Sequence, residues 1–91
     1  RISPELRPLA AFLYAQLQAA TAALRQGASV AATKTSIERA FLAQSAFELE
    51  YVELVNRLSM QPVEERQAEG DTAICIAAYL SGVRLIDNMV F

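Results

Sequence analysis

The chain contains 91 residues, of which 54% are apolar, and its 8 basic and 10 acidic side chains give a formal net charge of −2. It has no His and one Cys, Cys75, which excludes His-dependent catalytic triads, His metal sites and internal disulfides. Because nucleic-acid affinity draws mainly on Lys and Arg, the slight acidity argues against a nucleic-acid partner. These values predict one small soluble domain spanning residues 1–91.

No segment predicts a membrane span or a secretion signal. The uncharged run Pro8–Leu24 contains Gln16, Gln18 and Thr21 and is shorter than the roughly 20 apolar residues that a spanning helix needs. A basic region leading into an apolar stretch with a cleavage site is absent. We therefore expect a cytoplasmic protein without a membrane partner and with a reduced Cys75. Since residue 1 is Arg and not Met, we also expect a piece of a longer chain, unless the N terminus was trimmed by processing.

The first half of the sequence predicts two helices. Ser3-Pro4-Glu5 is a helix start, in which the Ser hydroxyl accepts a backbone N–H, and Gly27 is placed to end that helix. Pro8 leaves open that the first turn is separate from the main helix. Apolar residues recur every three or four positions along one side, namely Leu6, Leu9, Leu13, Leu17, Ala20 and Leu24.

The second helix is predicted from Ser29 or Val30 to about Gln44. Lys34 and Glu38 lie four residues apart on its polar side, together with Arg39, and are expected to pair weakly. The side expected to be buried carries Val30, Ile37, Ala40 and Phe41.

The second half predicts three strands. Phe47–Asn56 alternates, which places Phe47, Leu49, Tyr51 and Val55 on one face and Glu48, Glu50, Val52 and Leu54 on the other. Thr72–Tyr79 is a nearly continuous apolar run, typical of a strand covered on both faces, although a short buried helix remains an alternative. Ser81-Gly82 supplies a turn, and Val83–Val90 forms the last strand, antiparallel to the one before. In the polar connection, Pro62–Arg66 is compatible with a short helical turn.

These elements predict an α+β fold in which two helices pack on a small, mostly antiparallel three-stranded sheet. Charge is unevenly distributed along it. Residues 1–47 carry five basic against two acidic side chains, whereas residues 48–71 carry seven acidic against two basic ones. The acidic stretch is either a solvated face of the first strand and its loop, or the sign that the basic helical half faces an anionic site on a neighbouring domain.

The sequence contains no motif for chemistry: no glycine-rich phosphate loop, no GxGxxG, no HExxH and no GxSxG. Glu48/Glu50 and Glu64/Glu65 are paired carboxylates, but nothing indicates the dry pocket that would raise a carboxyl pKa. We therefore assign no catalytic, cofactor-binding or metal-binding residue.

A candidate interdomain or structural polar cluster consists of Arg84, Asp87 and Asn88 in the last strand. Asp87 is in phase with apolar residues, and a carboxylate on a half-buried face needs a hydrogen bond or an ion pair. The Asp87 carboxylate can be satisfied by a structural pair with Arg84 or with backbone N–H groups. The alternative is a contact with another domain or with a ligand.

The same strand carries a resemblance. Gly82–Asn88 (GVRLIDN), after the apolar residues Ala77–Leu80, resembles the closing signature of the pantothenate synthetase (pantoate:beta-alanine ligase) family. Phe47–Leu54 (FELEYVEL) is similar to a strand of that family that contains YVE, and Ile2–Arg7 (ISPELR) to the opening of its C-terminal domain. The order and separations of all three stretches match.

The resemblance implies a role that the composition cannot show. Family members join pantoate to beta-alanine with ATP and Mg, through a pantoyl adenylate, and release AMP; full-length members are expected to be homodimers. Their His-containing nucleotide motif, pantoate-binding glutamines and SSRN phosphate loop lie in preceding residues, so this fragment is expected to be inactive alone. It corresponds to the C-terminal lid domain, whose partner is the N-terminal nucleotide-binding domain of the same chain. The basic helical half and Arg84–Asn88 are the expected interdomain surface.

The alternative function is a non-enzymatic protein interaction or dimerisation module. A helix-turn-helix interpretation of the two helices joined at Gly27 is weaker, because the second helix offers only Lys34 and Arg39 as cations.

Overall fold

Two helices precede three strands in the computed structural model, which describes residues 3–91. Ile2, at the start of the ISPELR stretch, and Arg1 therefore lie outside the described residues. The elements are a 3₁₀ turn (Pro4–Leu6), α1 (Arg7–Arg25), α2 (Val30–Leu42), β1 (Phe47–Asn56), β2 (Thr72–Leu80) and β3 (Val83–Val90). The predicted α+β fold is confirmed, and the alternative of a short buried helix at β2 is wrong.

Helix α1 is held to the sheet by its leucines. Leu9, Leu13 and Leu17 are fully buried and lie on the predicted apolar stripe. The first turn is separate, as Pro8 allowed: the Leu6 N–H donates to the backbone carbonyl oxygen of Ser3 at 3.0 Å. The Ser3 side chain itself makes no capping hydrogen bond, so that detail of the prediction is wrong.

Helix α2 begins with the capping contact that α1 lacks, because the Ser29 hydroxyl accepts the Ala32 N–H at 3.0 Å. Ile37 and Phe41 are buried as predicted, and the Phe41 ring meets Phe12 of α1 edge-on, with 5.0 Å between ring centroids. The two helices thus share an aromatic contact above the sheet.

The sheet has the order β1-β2-β3, and both neighbouring pairs are antiparallel. Its apolar side chains on one face form a common core with the helices, and we call this the inner face. At its β3 edge the Thr21 hydroxyl of α1 donates to the Met89 sulfur at 3.7 Å. The core residues that the strands contribute to the inner face are Phe47, Leu49, Val52, Leu54, Ile74, Ile76, Ala78, Leu80, Leu85 and Met89.

A β-bulge in β1 corrects the predicted faces. Leu49 lies opposite Ala78 and Tyr51 lies opposite Ala77, so Glu50 is an extra residue in β1. Because one extra residue reverses the alternation, every side chain after it changes face. Val52 and Leu54 therefore point to the core, while Tyr51 and Val55 point away from it.

The connection between β1 and β2 folds back and pairs with the C-terminal end of β1. Val63 donates its N–H to the Leu54 carbonyl oxygen at 2.9 Å, and Pro62 forms an isolated bridge with Val55. The helical turn predicted at Pro62–Arg66 is therefore wrong, because this backbone pairs with the strand. Within residues 3–91, neither helix is long and apolar enough to cross a membrane.

The β2–β3 hairpin generates a stability prediction. Ser81 and Gly82 both have positive φ, 52° and 78°, as a type I′ turn requires, and Asn-Gly is the preferred pair there. We expect Ser81→Asn to raise the free energy of unfolding by about 0.5 kcal/mol and Gly82→Ala to lower it by about 1 kcal/mol. Urea unfolding measures both, with Ser81→Ala as the control. An unchanged midpoint for Gly82→Ala would contradict the turn assignment.

Candidate functional site

Part of the uneven charge of the sequence is paired within the domain. Arg25 of α1 bonds Glu69 with 2.7 Å between Nη2 and Oε2, and Arg66 approaches the same carboxylate at 3.4 Å. Lys34 of α2 bonds Glu53 at 3.1 Å, not the predicted Glu38. The basic helices and the acidic stretch thus pair at two points. The acidic residues other than Glu53 are exposed, which agrees with the interpretation of this stretch as a solvated face.

The face of the sheet away from the helices, which we call the outer face, is the more distinctive surface. Its centre contains small or aromatic side chains, and its border contains charged ones. Tyr51, Ile86 and Val90 are 37%, 51% and 47% exposed. By strand register the outer face contains Glu48, Glu50, Tyr51, Glu53, Val55, Ala73, Cys75, Ala77, Tyr79, Arg84, Ile86, Asn88 and Val90.

An ion pair crosses the outer face from one edge strand to the other. Arg84 of β3 donates from Nε to Glu50 Oε1 at 2.6 Å, and Tyr79 of β2 lies opposite Arg84 between them. The hydrogen bond to Glu50 raises the pKa of the Arg84 guanidinium, and the Glu50 charge and the Tyr79 and Tyr51 hydroxyls add to it. The bulge places Glu50 where it can reach across β2.

The predicted polar cluster is divided between the two faces. Arg84 and Asn88 lie on the outer face, whereas Asp87 lies on the inner face and is half-buried. Asp87 Oδ1 accepts the Asn88 backbone N–H at 2.8 Å, which is one of the two structural solutions that the sequence left open. The other, a pair with Arg84, is not formed, because residues three apart on a strand point to opposite faces.

Cys75 lies in the middle of the outer face, opposite Glu53 and Asn88. Burial raises the pKa of its thiol, and the Glu53 charge raises it further, so the thiol stays protonated and is a poor nucleophile. Among residues 3–91 there is no group of three His, Cys, Asp or Glu side chains that could hold a metal ion.

Two open grooves flank β1. One of about 500 Å³ lies between α2 and the β1–β2 connection, and its one cation, Lys34, is already bound to Glu53. The other, of about 340 Å³, is lined mainly by apolar side chains, including Phe41 and Phe47. Neither groove brings a nucleophile and a base together among its lining residues.

Sequence reasoning missed Glu50, Tyr51 and Tyr79 as members of this site. A signal was present: the apolar positions of β1 shift from Phe47 and Leu49 to Val52 and Leu54, as an inserted residue requires. The Arg84–Glu50 contact has no local signal, because it depends on the order of three strands.

The Glu50–Arg84 pair generates a prediction about salt. We expect Arg84→Ala, Glu50→Gln and the double variant to lower the Tm by similar small amounts, because the two side chains act as a unit. Since both are partly exposed, the coupling between them should disappear in 1 M NaCl, where the Debye length is about 3 Å. Additive Tm losses at low salt would contradict the pair.

Cys75 generates a pH prediction. Because its pKa is higher in the folded protein, the unfolded chain loses the thiol proton first as pH rises, and the free energy of unfolding then falls. The effect is absent below the unfolded thiol pKa of about 8.5. As pH rises above about 8.5, Cys75→Ala should therefore gain stability relative to wild type in urea titrations. An identical pH dependence of the two proteins would contradict a raised pKa.

Comparison with known proteins confirms the resemblance. Residues 1–90 match the family model for pantoate-beta-alanine ligase. A pantothenate synthetase from Cytophaga hutchinsonii is 32% identical over 91 residues, which are 99% of this chain and 32% of that protein. Another from Rhizorhabdus wittichii is 39% identical over 90 residues, 97% of this chain and 30% of that protein.

A solved structure agrees with the sequence matches. The crystal structure of pantothenate synthetase from Thermus thermophilus superposes with a TM-score of 0.78 at 32% identity, and covers 97% of this chain and 31% of that one. The chain thus spans about a third of the length of these relatives. A match over nearly every residue, in sequence and in fold, means that the chain belongs to the pantoate-beta-alanine ligase family.

Proposed function

We propose that this chain is the C-terminal lid domain of a longer, ATP-dependent pantoate:beta-alanine ligase, and that it covers the active site of a preceding nucleotide-binding domain. The observation that carries the proposal is the match of 97% of this chain to 31% of a pantothenate synthetase with a TM-score of 0.78. A domain that corresponds to a third of an enzyme serves a reaction to which the other two thirds also contribute.

The described residues favour a covering role over a chemical one. Cys75 is a protonated, half-buried thiol, and the charged side chains Arg25, Lys34 and Arg84 are each engaged with a carboxylate of the same domain. Groups that are already satisfied within the domain contribute shape and rigidity more readily than catalysis.

Covering has a physical purpose in this reaction class. A ligase that passes through an acyl adenylate must keep water from the activated carbonyl until the amine attacks. Closure of a domain over the site excludes water and strengthens the electrostatic contacts inside it. In this proposal ATP, Mg and pantoate are bound by the other part of the longer chain, and the complete enzyme is a cytoplasmic homodimer.

The first test is genetic and enzymatic. The longer gene should restore growth without pantothenate to a bacterium that lacks its own pantothenate synthetase, whereas the segment encoding these 91 residues should not. The purified longer protein should form pantothenate and AMP from pantoate, beta-alanine and ATP. The 91-residue chain alone should show no product and no ATP binding by calorimetry.

The outcomes separate the proposal from its rival. Ligase activity in the 91-residue chain would contradict a covering domain without its own chemistry. Failure of the longer protein to form pantothenate, with the protein folded by circular dichroism, would favour an interaction module without an enzyme.

A further inference from the structure

The outer face is built like an interface. Tyr51, Ala77 and Ile86 lie side by side across its middle, and the Glu50–Arg84 pair borders them. Tyr51 and Ile86 are 37% and 51% exposed, and Val90 at the end of β3 is 47% exposed. Protein interfaces combine an apolar, aromatic-rich centre with a polar rim, and Tyr and Arg are enriched among the residues that contribute most to binding. An isolated domain that presents such a sheet face to water is expected to bury it against a partner.

The inner face is already occupied, which limits where a partner can pack. Leu9, Leu13 and Leu17 of α1 fill it together with Ile37 and Phe41 of α2. The ion pairs Arg25–Glu69 and Lys34–Glu53 close the charged surfaces beside the helices. The outer face is thus the face of the sheet that the helices leave uncovered. Other strongly exposed apolar side chains, such as Leu42, Leu58 and Met60, lie outside the strands.

The size of the outer face decides between a second copy and the rest of a longer chain. Three strands of about nine residues measure roughly 14 Å by 30 Å, or about 400 Å². Two such faces together bury about 800 Å², which is the size of a crystal-packing contact and below the roughly 1,200 Å² of stable complexes. A face of this size favours a tethered partner over a separate copy, since a linker provides a millimolar effective concentration.

A tethered partner is available if the proposed function is correct. The matched relatives are about three times as long as this chain, which covers 32% and 30% of two of them. Most of such an enzyme therefore lies outside the residues described here.

We propose that the outer face is the surface on which this domain packs against the remaining part of the longer ligase chain, with Tyr51 and Ile86 at its centre. The inference rests on the proposed function and deepens it. It places the interdomain contact on the sheet, on the side opposite the helices, whereas the sequence pointed to the basic helical half and to Arg84–Asn88 together.

Cys75 can serve as a chemical probe of the contact on the outer face. Cys75 is its one cysteine and lies on the outer face, on the central strand. In the longer protein its alkylation by N-ethylmaleimide at pH 8 can be followed by peptide mass spectrometry, which separates it from other cysteines. Packing of a second domain on the outer face should make this reaction slower than the raised pKa of the thiol alone does, and the variants below separate the two effects.

Two substitutions on β3 form a matched pair. Ile86 and Val83 are 51% and 49% exposed, but they point to opposite faces of the same edge strand. In the longer protein Ile86→Glu should raise the alkylation rate of Cys75 about tenfold, which corresponds to a loss of about 1.4 kcal/mol in interdomain packing. Val83→Glu should leave the rate within about twofold of wild type.

Folding is controlled with a milder variant. Ile86→Thr keeps a β-branched residue at the position and should raise the rate in the same direction by a smaller factor, with the thermal transition of the protein retained. Equal Cys75 rates in wild type, both Ile86 variants and Val83→Glu would overturn the inference.

Two further outcomes separate the possible errors. If the alkylation rate of Cys75 depends on protein concentration, the partner on the outer face is a second copy of the protein and not the rest of the same chain. Normal ligase activity together with a fast-reacting Cys75 in wild type would overturn the docking surface and leave the proposed function standing. If Cys75 reacts slowly in wild type and faster in the Ile86 variants, but the longer protein has no ligase activity, the outer face is the docking surface and the proposed function is wrong.

Discussion

Burial of the α1 leucine stripe on one face of the sheet is the constraint on which the rest of the domain depends. Leu9, Leu13 and Leu17 have no exposed surface, and each fully buried leucine contributes about 1.5–3 kcal/mol. A domain of 91 residues has one core of this kind. Because both helices serve it from the same side, the opposite face of the sheet remains available for a partner.

The bulge at Glu50 determines which side chains of β1 lie on the outer face. Without the extra residue, Val52 and Leu54 would point outward and the first strand would lose its contact with the helices. With it, Tyr51 joins the outer face and Glu50 reaches Arg84 across the central strand at 2.6 Å. One backbone irregularity thus completes the core and also fixes the polar border of the outer face.

Local sequence patterns predicted the helices and strands well, because the periodicity and turn residues that define an element lie within that element. The bounds of β1 and β3 follow from alternation and from the Ser81-Gly82 turn. Contacts between distant elements were not predictable in this way: Lys34 bonds Glu53 and not Glu38, and Arg84 bonds Glu50 and not Asp87. The family resemblance identified the family, but the composition of the outer face required the strand order.

If this domain covers a reactive adenylate, its most direct signature is the coupling of ATP consumption to product. The decisive measurement is the amount of AMP released relative to pantothenate formed by the longer protein, with and without Ile86→Glu. Wild type should release equal amounts, whereas the loosened cover should release excess AMP in a pantoate-dependent manner, because water reaches the intermediate. Equal amounts in the variant, despite increased reactivity of Cys75, would contradict the covering role.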